Sequence, residues 1–335
     1  MNIALPGFSS APWCFNGHAH TILCSQLFKP VPLPFSRRSV PTPDGDFLNI
    51  DLLHADPSAP FVVLLHGLEG STGRYYMRNL AHHLWQLGFN IAAVNFRSCG
   101  GELNKTRRFY HSGEYKDIAT VCSWLDSSYK RPLQFAVGFS LGGSALLNYL
   151  HHKKNKSRIR MFSAVSVPYD LYRGSVNLQK GFNRIYDYNF LLSLKQKLAG
   201  KRERFPDLPE FTGSTLFDFD DQITGPIHGF SGAEEYYRVC SSANFMDQIQ
   251  TPGLLIHSRE DPLCPFAYTP VKDILANPLL STSFTDRGGH VGFWSLPPGW
   301  LNRTIASYFI HQAAENDFFP GGTIETATQE DRQSE

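Results

Sequence analysis

The chain of 335 residues contains the pentapeptide Gly138-Phe139-Ser140-Leu141-Gly142, which follows the pattern G-x-S-x-G. An apolar run at 133–137 precedes it directly, and a stretch with helical character follows it at 143–150. Together they predict a strand, a sharp turn that carries a serine, and a helix. The glycines are needed because the chain reverses there within a few residues. We interpret Ser140 as a candidate nucleophile; the alternative is a glycine-containing turn without chemistry.

A serine nucleophile needs a histidine as general base, and in proteins with such a turn the histidine comes later in the chain. We favour His290, which follows a short strand pattern and lies in the glycine-rich loop Arg287-Gly288-Gly289-His290-Val291-Gly292. A flexible loop of this kind is able to present an imidazole to Ser140. The other downstream histidines have less favourable contexts: His151, His152, His228, His257 and His311.

The acid that orients the histidine is expected in the loop after the preceding strand. The stretch Leu254-Leu255-Ile256-His257-Ser258-Arg259-Glu260-Asp261-Pro262 offers two adjacent carboxylates there. We favour Asp261, because Pro262 biases it toward extended geometry and aspartate is the common partner of imidazole. Glu260 is the second choice. Asp286 is a third, although a carboxylate so close to His290 more often caps a turn.

Upstream, the apolar run 61–65 reads as a strand buried on both faces, and it ends in His66-Gly67-Leu68-Glu69-Gly70-Ser71. A loop at this place supplies one backbone donor of an oxyanion hole, and the residue after the nucleophile supplies the other. The sequence therefore predicts the N–H groups of Leu68 and Leu141 as oxyanion donors.

From residue 61 onward, strand and helix patterns alternate. Strands are predicted at 61–65, 89–95, 133–138, 161–167, 253–257 and 281–285, with helices near 74–87, 113–128, 140–152 and 300–313. Before them, a D-G turn at 43–46 is expected to join two antiparallel strands. This order predicts an α/β fold, with a mostly parallel central sheet, helices on both faces and an antiparallel start.

The alternation stops between 168 and 245, which we predict to be a helical cap over the carboxyl ends of the strands. Residues 37–167 and 246–315 then form the core, and 1–36 form an irregular arm packed on it. The polar, acidic stretch 316–335 is predicted to be a disordered tail. The basic residues of 184–204 are expected to form a solvated face; contact with a membrane surface is the less favoured alternative.

Composition excludes several classes of function. The formal net charge is +1, and no helix-turn-helix or zinc-finger pattern occurs, which argues against a nucleic-acid partner. Six scattered cysteines without a C-x-x-C pair indicate reduced thiols, and no metal or other cofactor is predicted. Because the start of the chain lacks a signal-peptide pattern and no stretch of eighteen apolar residues occurs, we expect a soluble, cytoplasmic protein.

With these residues placed, the chain resembles the AB-hydrolase family of YheT-like α/β-hydrolases, which includes related eukaryotic lipid hydrolases. The resemblance rests on the motifs at 66–71, 95–102, 110–114, 138–142 and 288–293, and on three cap motifs at 219–224, 227–229 and 236–241. It implies the α/β-hydrolase fold and a Ser140-Asp261-His290 triad. Members of the family often read His-x-Gln-Thr where this chain reads His18-Ala19-His20-Thr21, so His20 must replace that glutamine or lose its bonds. For Tyr110-His111-Ser112-Gly113 we predict only a turn packed against the cap.

The resulting hypothesis is a serine hydrolase that cleaves a small-molecule carboxylic ester, lipids included, through an acyl-enzyme intermediate. Four alternatives stay open: an acyltransferase or ester synthase, a lipid hydrolase that acts on acylglycerols or phospholipids with the same triad, a peptidase or thioesterase with that triad, and a noncatalytic binding protein on a hydrolase scaffold. The acyl chain, the head group and the oligomeric state are not encoded in these motifs. His111 and His228 are weak candidates for substrate contacts.

Overall fold

The computed structural model describes residues 5–129 and 134–315, and one sheet of eight strands forms its centre. The strands are β1 (Ser36–Pro41), β2 (Phe47–Leu53), β3 (Phe61–Leu65), β4 (Asn90–Asn95), β5 (Gln134–Phe139), β6 (Ile159–Val165), β7 (Gly253–Ser258) and β8 (Leu280–Thr285). Their order across the sheet is β1-β2-β4-β3-β5-β6-β7-β8. Pairing is antiparallel from β1 to β4 and parallel from there to β8.

Helices cover both faces of this sheet. They are α1 (Gly17–Leu27), α2 (Tyr75–Gln86), α3 (Tyr115–Tyr129), α4 (Leu141–Lys153), α5 (Leu171–Leu178), α6 (Arg184–Arg204), α7 (Leu216–Phe219), α8 (Gly225–Ile227), α9 (Ala233–Cys240), α10 (Val271–Ala276) and α11 (Trp300–Glu315). Alternate residues of a strand point to opposite faces. Val62 and Leu64 accordingly pack with α2 and α11, whereas Val63 and Leu65 pack with α3 and α4. The predicted α/β architecture is confirmed.

The predicted D-G turn joins β1 to β2, and it also organises a buried ion cluster. Asp44 and Asp46 from this turn lie 2.8 and 3.0 Å from Nη1 of Arg97, which follows β4. Asp117 of α3 binds the other side of the same guanidinium at 2.7 Å. The Arg97 side chain is 1% exposed. Three carboxylates therefore surround one buried cation, and the cluster ties the hairpin to the helical layer.

The prediction of an irregular N-terminal arm is wrong for Gly17–Leu27, which form α1. The helix begins after Asn16, whose side-chain oxygen accepts a hydrogen bond from the N–H of Ala19 at 2.8 Å. The buried positions of α1 do have helical spacing, but they carry a glycine, a histidine and a cysteine. Since none of these is a large aliphatic residue, the apolar stripe that reveals an amphipathic helix is missing.

Helices α5 to α9 lie between β6 and β7 in the chain. Helices α5, α6 and α7 share an apolar cluster, whereas α9 packs with Leu171 of α5 in a second, smaller one. Loop residues of the sheet domain, Leu263 and Cys264 after β7 and Phe109 after β4, belong to the first cluster. The segment 168–245, which we call the cap, therefore packs on the loops at the carboxyl ends of the strands. Within the first cluster the buried cap residues are Leu178, Leu191, Leu194, Leu198, Leu208, Leu216, Phe219 and Ile223.

The expectation of a solvated basic face on 184–204 is wrong for two lysines. Lys201 is fully buried and donates hydrogen bonds to the backbone carbonyls of Thr106 and Arg108, the latter at 2.9 Å. Lys197 points inward as well and binds Glu69. The exposed face of α6 carries Lys195 and Arg204 as expected, and also the large apolar side chains of Ile185, Tyr188 and Leu192. The aliphatic parts of Lys197 and Lys201 thus pack inside the protein, and each ammonium group donates hydrogen bonds to oxygen atoms there.

Among the helices in residues 5–129 and 134–315, none has the length and apolar character needed to cross a bilayer. The predicted disordered tail at 316–335 lies outside the described residues.

Candidate active site

Ser140 occupies the turn between β5 and α4, as the G-x-S-x-G pattern predicted. Its backbone has φ 51° and ψ −121°, a conformation that L-residues rarely adopt. In this turn the backbone of neighbouring residues comes very close to the two glycines. A Cβ atom on Gly142 would lie 2.5 Å from the carbonyl oxygen of Leu65, and one on Gly138 would lie 2.6 Å from that of Gly142. Larger residues at these two positions would therefore prevent the turn that exposes the serine.

The structure brings together the three side chains that the sequence analysis favoured, namely Ser140, His290 and Asp261. Nε2 of His290 lies 2.8 Å from Oγ of Ser140. Nδ1 of the same ring lies 2.9 Å from Oδ2 of Asp261 and 3.2 Å from its Oδ1. One continuous chain of hydrogen bonds thus runs from hydroxyl to carboxylate. In this arrangement Nε2 is able to accept the serine proton while the carboxylate holds the proton on Nδ1.

Asp261 is held in place by backbone as well as by His290. Its Oδ1 accepts hydrogen bonds from the N–H groups of Leu263 and Cys264, each at 2.9 Å. Burial alone would raise the pKa of Asp261, but the facing His290 and these hydrogen bonds bring the pKa below its ordinary value. Burial also raises the pKa of the Cys264 thiol well above its usual range, so this sulfur is a poor metal ligand beside the carboxylate.

The two other carboxylates that the sequence offered point elsewhere. Glu260 pairs with Arg287 at 2.9 Å, and Asp286 pairs with Arg259 at 3.2 Å on the surface. These contacts leave Asp261 as the carboxylate that reaches His290.

The loop after β3 carries the candidate oxyanion residue Leu68. The N–H groups of the residues before and after Leu68 are both held by hydrogen bonds. The N–H of Gly67 donates to the hydroxyl of Tyr76 at 3.1 Å. The N–H of Glu69 donates to the hydroxyl of Tyr110 at 2.7 Å. The amide of Leu68 lies between these two fixed points, so its orientation is set by the loop rather than by its own side chain.

This loop passes directly beside the serine. A Cβ atom on Gly67 would lie 3.1 Å from Cβ of Ser140, so only a glycine leaves ordinary space there. Leu141 is the first residue of α4, where an N–H group has no partner within the helix. The amides of Leu68 and Leu141 thus belong to the two segments that flank Ser140.

Sequence reasoning missed the residue that supports the His290 loop from the N-terminal side. The backbone N–H of His290 donates a hydrogen bond to Oγ1 of Thr21 in α1 at 2.8 Å. The contact is so close that a Cβ atom on Gly289 would lie 2.5 Å from the carbonyl oxygen of Gly17. The His-Ala-His-Thr motif was a signal for this role, but a separation of 269 residues conceals the partner.

His20 shows how the departure from the family's His-x-Gln-Thr motif is accommodated. Its Nδ1 accepts a hydrogen bond from the N–H of Trp294 at 3.2 Å, and its Nε2 lies 2.9 Å from Oγ of Ser10. Burial lowers the pKa of His20 to about 4, so the ring is neutral and one nitrogen is free to accept. The ring therefore joins the arm to the segment that follows His290. The ring of His18 does not take part in this contact and stacks on Tyr186 of the cap.

A cavity lies between the cap and the sheet domain, and Ser140 and His290 are part of its wall. Its empty space is about 840 Å³, including the opening to solvent. Leucine and phenylalanine are the most frequent residues of the wall, among them Leu178, Leu194, Leu216, Phe109, Phe190 and Phe219. A cavity with this lining suits a largely apolar ligand.

The segment Tyr110-His111-Ser112-Gly113 forms the predicted turn packed against the cap. The N–H of Ser112 donates to the hydroxyl of Tyr236 at 2.8 Å. A Cβ atom on Gly113 would lie 2.3 Å from Sγ of Cys240. The motif thus serves close packing between the sheet domain and α9, and it also contributes Tyr110, His111 and Ser112 to the cavity wall.

His111 and Glu114 form, with His228, a second group of potential metal ligands among the described residues. Their contacts do not suit a metal. Arg108 binds Glu114 at 2.7 Å, and the N–H of Gly113 donates to Nδ1 of His111, which places the ring proton on Nε2, the nitrogen nearest to Glu114. His228 lies against the backbone carbonyls of Thr224 and Phe109 instead of the cavity. This cluster therefore supports packing between the turn and the cap.

A serine on a strained turn after a central parallel strand, facing a histidine and an aspartate from later loops, defines the α/β class of folds with a nucleophile elbow. A family model described as the alpha/beta hydrolase fold matches residues 60–295. The chain therefore belongs to the α/β-hydrolase family, and the fold and family predicted from the sequence are confirmed.

Individual relatives are similar over most of the chain. The Escherichia coli protein YheT is 33% identical over 321 residues, which are 91% of this chain and 92% of YheT. Monoacylglycerol lipase of Saccharomyces cerevisiae is 30% identical over 271 residues, 77% of this chain and 59% of the lipase. The solved structure of the Pyrococcus furiosus esterase Pf2001 matches with a TM-score of 0.58 at 19% identity, covering 92% of this chain and 98% of that one. At that identity the similarity concerns the fold.

Proposed function

We propose that this protein hydrolyses carboxylic esters through an acyl-enzyme formed on Ser140. The observation that carries the proposal is the hydrogen-bonded chain from Ser140 through His290 to Asp261. His290 takes the hydroxyl proton at Nε2 while Oγ attacks the ester carbonyl carbon. The lowered pKa of Asp261 keeps its carboxylate ionised, so it stabilises the imidazolium that forms.

The tetrahedral intermediate has a negative oxygen, for which we propose the N–H groups of Leu68 and Leu141 as donors. When the intermediate collapses, His290 gives its proton to the departing alkoxide, and the acyl group stays on Ser140. Water then gives a proton to Nε2 and attacks the acyl carbon. Collapse of the second intermediate releases the acid and returns the proton to Oγ.

The cavity next to Ser140 indicates the kind of ester. Its wall of leucine and phenylalanine side chains favours an apolar acyl chain, because burial of each methylene contributes about 0.8 kcal/mol. Similarity to a protein named monoacylglycerol lipase agrees with this preference, so lipid esters are included in the proposed substrate class.

The test combines substitution with active-site labelling. Ser140→Ala is expected to abolish turnover of p-nitrophenyl esters and labelling by a fluorophosphonate probe, with an unchanged circular dichroism spectrum. Ser127→Ala is the control, since Ser127 is an exposed serine of α3 that is not part of the cavity wall. Retained turnover in the Ser140 variant, or a label on a different serine, would refute the proposal.

A further inference from the structure

The cap motif at 219–224 contains an acidic residue that the proposed ester chemistry does not use. Asp220 begins a π-helical turn, Asp220–Thr224, which joins α7 to α8. Such turns are rare and often occur at functional sites. Phe219 directly before the turn and Ile223 within it are buried in the apolar cluster of the cap, and Asp220 is part of the cavity wall. The turn thus places a carboxyl group in a cavity whose other lining is mostly apolar.

Hydroxyl groups surround this carboxyl group. The hydroxyl of Tyr237 donates to Oδ2 of Asp220 at 2.7 Å, and Thr224 donates a second side-chain hydrogen bond. Ser175 is in turn hydrogen-bonded to Tyr237. The ring of Tyr236 lies 5.1 Å from that of Tyr237. All five residues are part of the cavity wall, so one region of the cavity is lined by hydroxyls around a carboxylate.

The carboxylate of Asp220 is able to accept further hydrogen bonds. An ionised carboxyl group offers about four acceptor positions, and Tyr237 and Thr224 use two of them. Among the described residues, no arginine, lysine or histidine forms an ion pair with Asp220. Burial and the nearby Asp187 raise the pKa of Asp220 to about 6. A further donor from a ligand would offset part of the cost of this buried charge.

We propose that Asp220 accepts a hydrogen bond from a hydroxyl group of the ester substrate, with Tyr237 holding the carboxylate in position. The inference rests on the proposed esterase function and narrows its substrate to esters that carry a hydroxyl group besides the scissile bond. A neutral donor fits this region better than a cation, because the other wall residues around Asp220 carry neutral hydroxyls or apolar side chains, and a hydroxyl costs less to desolvate than a charge. The cap thereby provides specificity as well as an apolar acyl site.

Two matched pairs of esters test this inference. The first compares a 1-monoacylglycerol with the methyl ester of the same acid, so the hydroxyls are in the alcohol part. The second compares p-nitrophenyl 12-hydroxydodecanoate with p-nitrophenyl dodecanoate. The wild-type protein is expected to favour the hydroxylated member of at least one pair by about tenfold in kcat/KM, as a hydrogen bond to a charged group permits.

Variants at 220 assign this preference to the carboxylate. Asp220→Leu is expected to abolish the preference, measured as the ratio of kcat/KM within each pair, and Asp220→Asn, which keeps the shape of the side chain, is expected to reduce that ratio. Asp187→Asn is the matched control, because Asp187 is a buried carboxyl of the same cap that accepts from the N–H of Leu216 and is not part of the cavity wall. It is expected to retain the preference.

Three results would overturn the inference. One is equal turnover within both pairs by the wild-type protein, and another is an equal loss on hydroxylated and plain esters in both Asp220 variants. The third is a preference for an ester with a trimethylammonium group over its hydroxylated counterpart, which would assign a cation to this region. If the wild-type protein cleaved neither plain nor hydroxylated esters, the proposed esterase function itself would fail, so the two failures are distinguishable.

Discussion

Lys197 of the cap helix α6 donates a hydrogen bond at 2.7 Å to Glu69, the residue directly after Leu68. Ser193, one turn earlier on α6, donates to the other oxygen of the same carboxylate, and the hydroxyl of Tyr110 donates at 2.9 Å. Glu69 has φ 52°, which is uncommon for a residue other than glycine. A strained loop next to Ser140 is thus held in shape partly by the cap.

We predict that Lys197→Met lowers kcat for p-nitrophenyl esters about tenfold and changes KM less than twofold. Loss of an oxyanion donor costs about 100-fold to 1000-fold, and a misaligned donor costs less. KM should be almost unaffected because Lys197 is not part of the cavity wall. Steady-state kinetics measure both parameters.

Lys195→Met is the control for this prediction, since Lys195 is on the same helix but exposed to solvent. Lys197→Arg should recover much of kcat, because a guanidinium still donates to Glu69. A rise in KM with unchanged kcat would contradict a positioning role for Lys197.

Thr21 is predicted to position His290. In Thr21→Val the backbone N–H of His290 loses its acceptor, and the loop that carries the imidazole is free to shift. We expect kcat to fall about tenfold and labelling by the fluorophosphonate probe to slow in parallel, because both depend on the same proton transfer. Thr21→Ser keeps the hydroxyl and should retain most activity. Equal losses in the valine and serine variants would instead indicate a packing defect.

Local patterns made the sheet and the nucleophile turn predictable from the sequence. Glycines at 138 and 142 are required by contacts within a few residues or to the adjacent strand, and such requirements leave a pattern. The candidate histidine and aspartate were identifiable because each lies in a loop directly after a recognisable strand. Their catalytic roles, and those of the two amides, stay predictions until the variants are measured.

Residues that contact the site from a distant part of the sequence were not predictable from local patterns. Thr21 reaches His290 over 269 positions, and Lys197 reaches Glu69 over 128. Neither pair has a fixed spacing that a pattern could reveal. Lys197 was also misread because a lysine on a helix usually faces solvent. The helix α1 was missed since its buried residues are not large and aliphatic.

Arg97→Met is predicted to lower the free energy of unfolding by about 3–5 kcal/mol, the usual cost when one partner of a buried ion pair is removed. The variant leaves Asp44, Asp46 and Asp117 close together without their common cation. Denaturant unfolding measures the change. In the control Arg107→Met, an exposed pair with Asp207 is lost, and we expect no measurable change in the free energy of unfolding.

Asp220 also makes the stability of the protein depend on pH. The pKa of its carboxyl group is raised by burial from 3.8 to about 6, so the folded protein binds this proton more tightly than the unfolded chain. The raised pKa favours folding below pH 3.8, and that contribution is lost as the pH rises through 6. At pH 8 the buried charge should cost about 2–3 kcal/mol, since each pKa unit corresponds to about 1.4 kcal/mol. Asp220→Asn removes this charge, and urea unfolding should therefore show a more stable variant at pH 8 and a much smaller difference at pH 4.

Asp218 in the same cap provides a control of opposite sign. Burial opposes its ionisation, but hydrogen bonds from Ser214 and Thr215 lower its pKa below the ordinary value. Asp218→Asn should therefore be less stable than the wild-type protein at pH 8, and the difference should diminish as the pH falls through the ordinary range of an aspartate. A stabilising effect at Asp220 that disappears at low pH, beside a destabilising one at Asp218, would show that the fold tolerates an unfavourable carboxylate in its cavity. Equal stability of the Asp220 variant and the wild-type protein at pH 8 would mean that the carboxyl group is already compensated without a ligand, which removes the energetic reason for a substrate hydroxyl at this position.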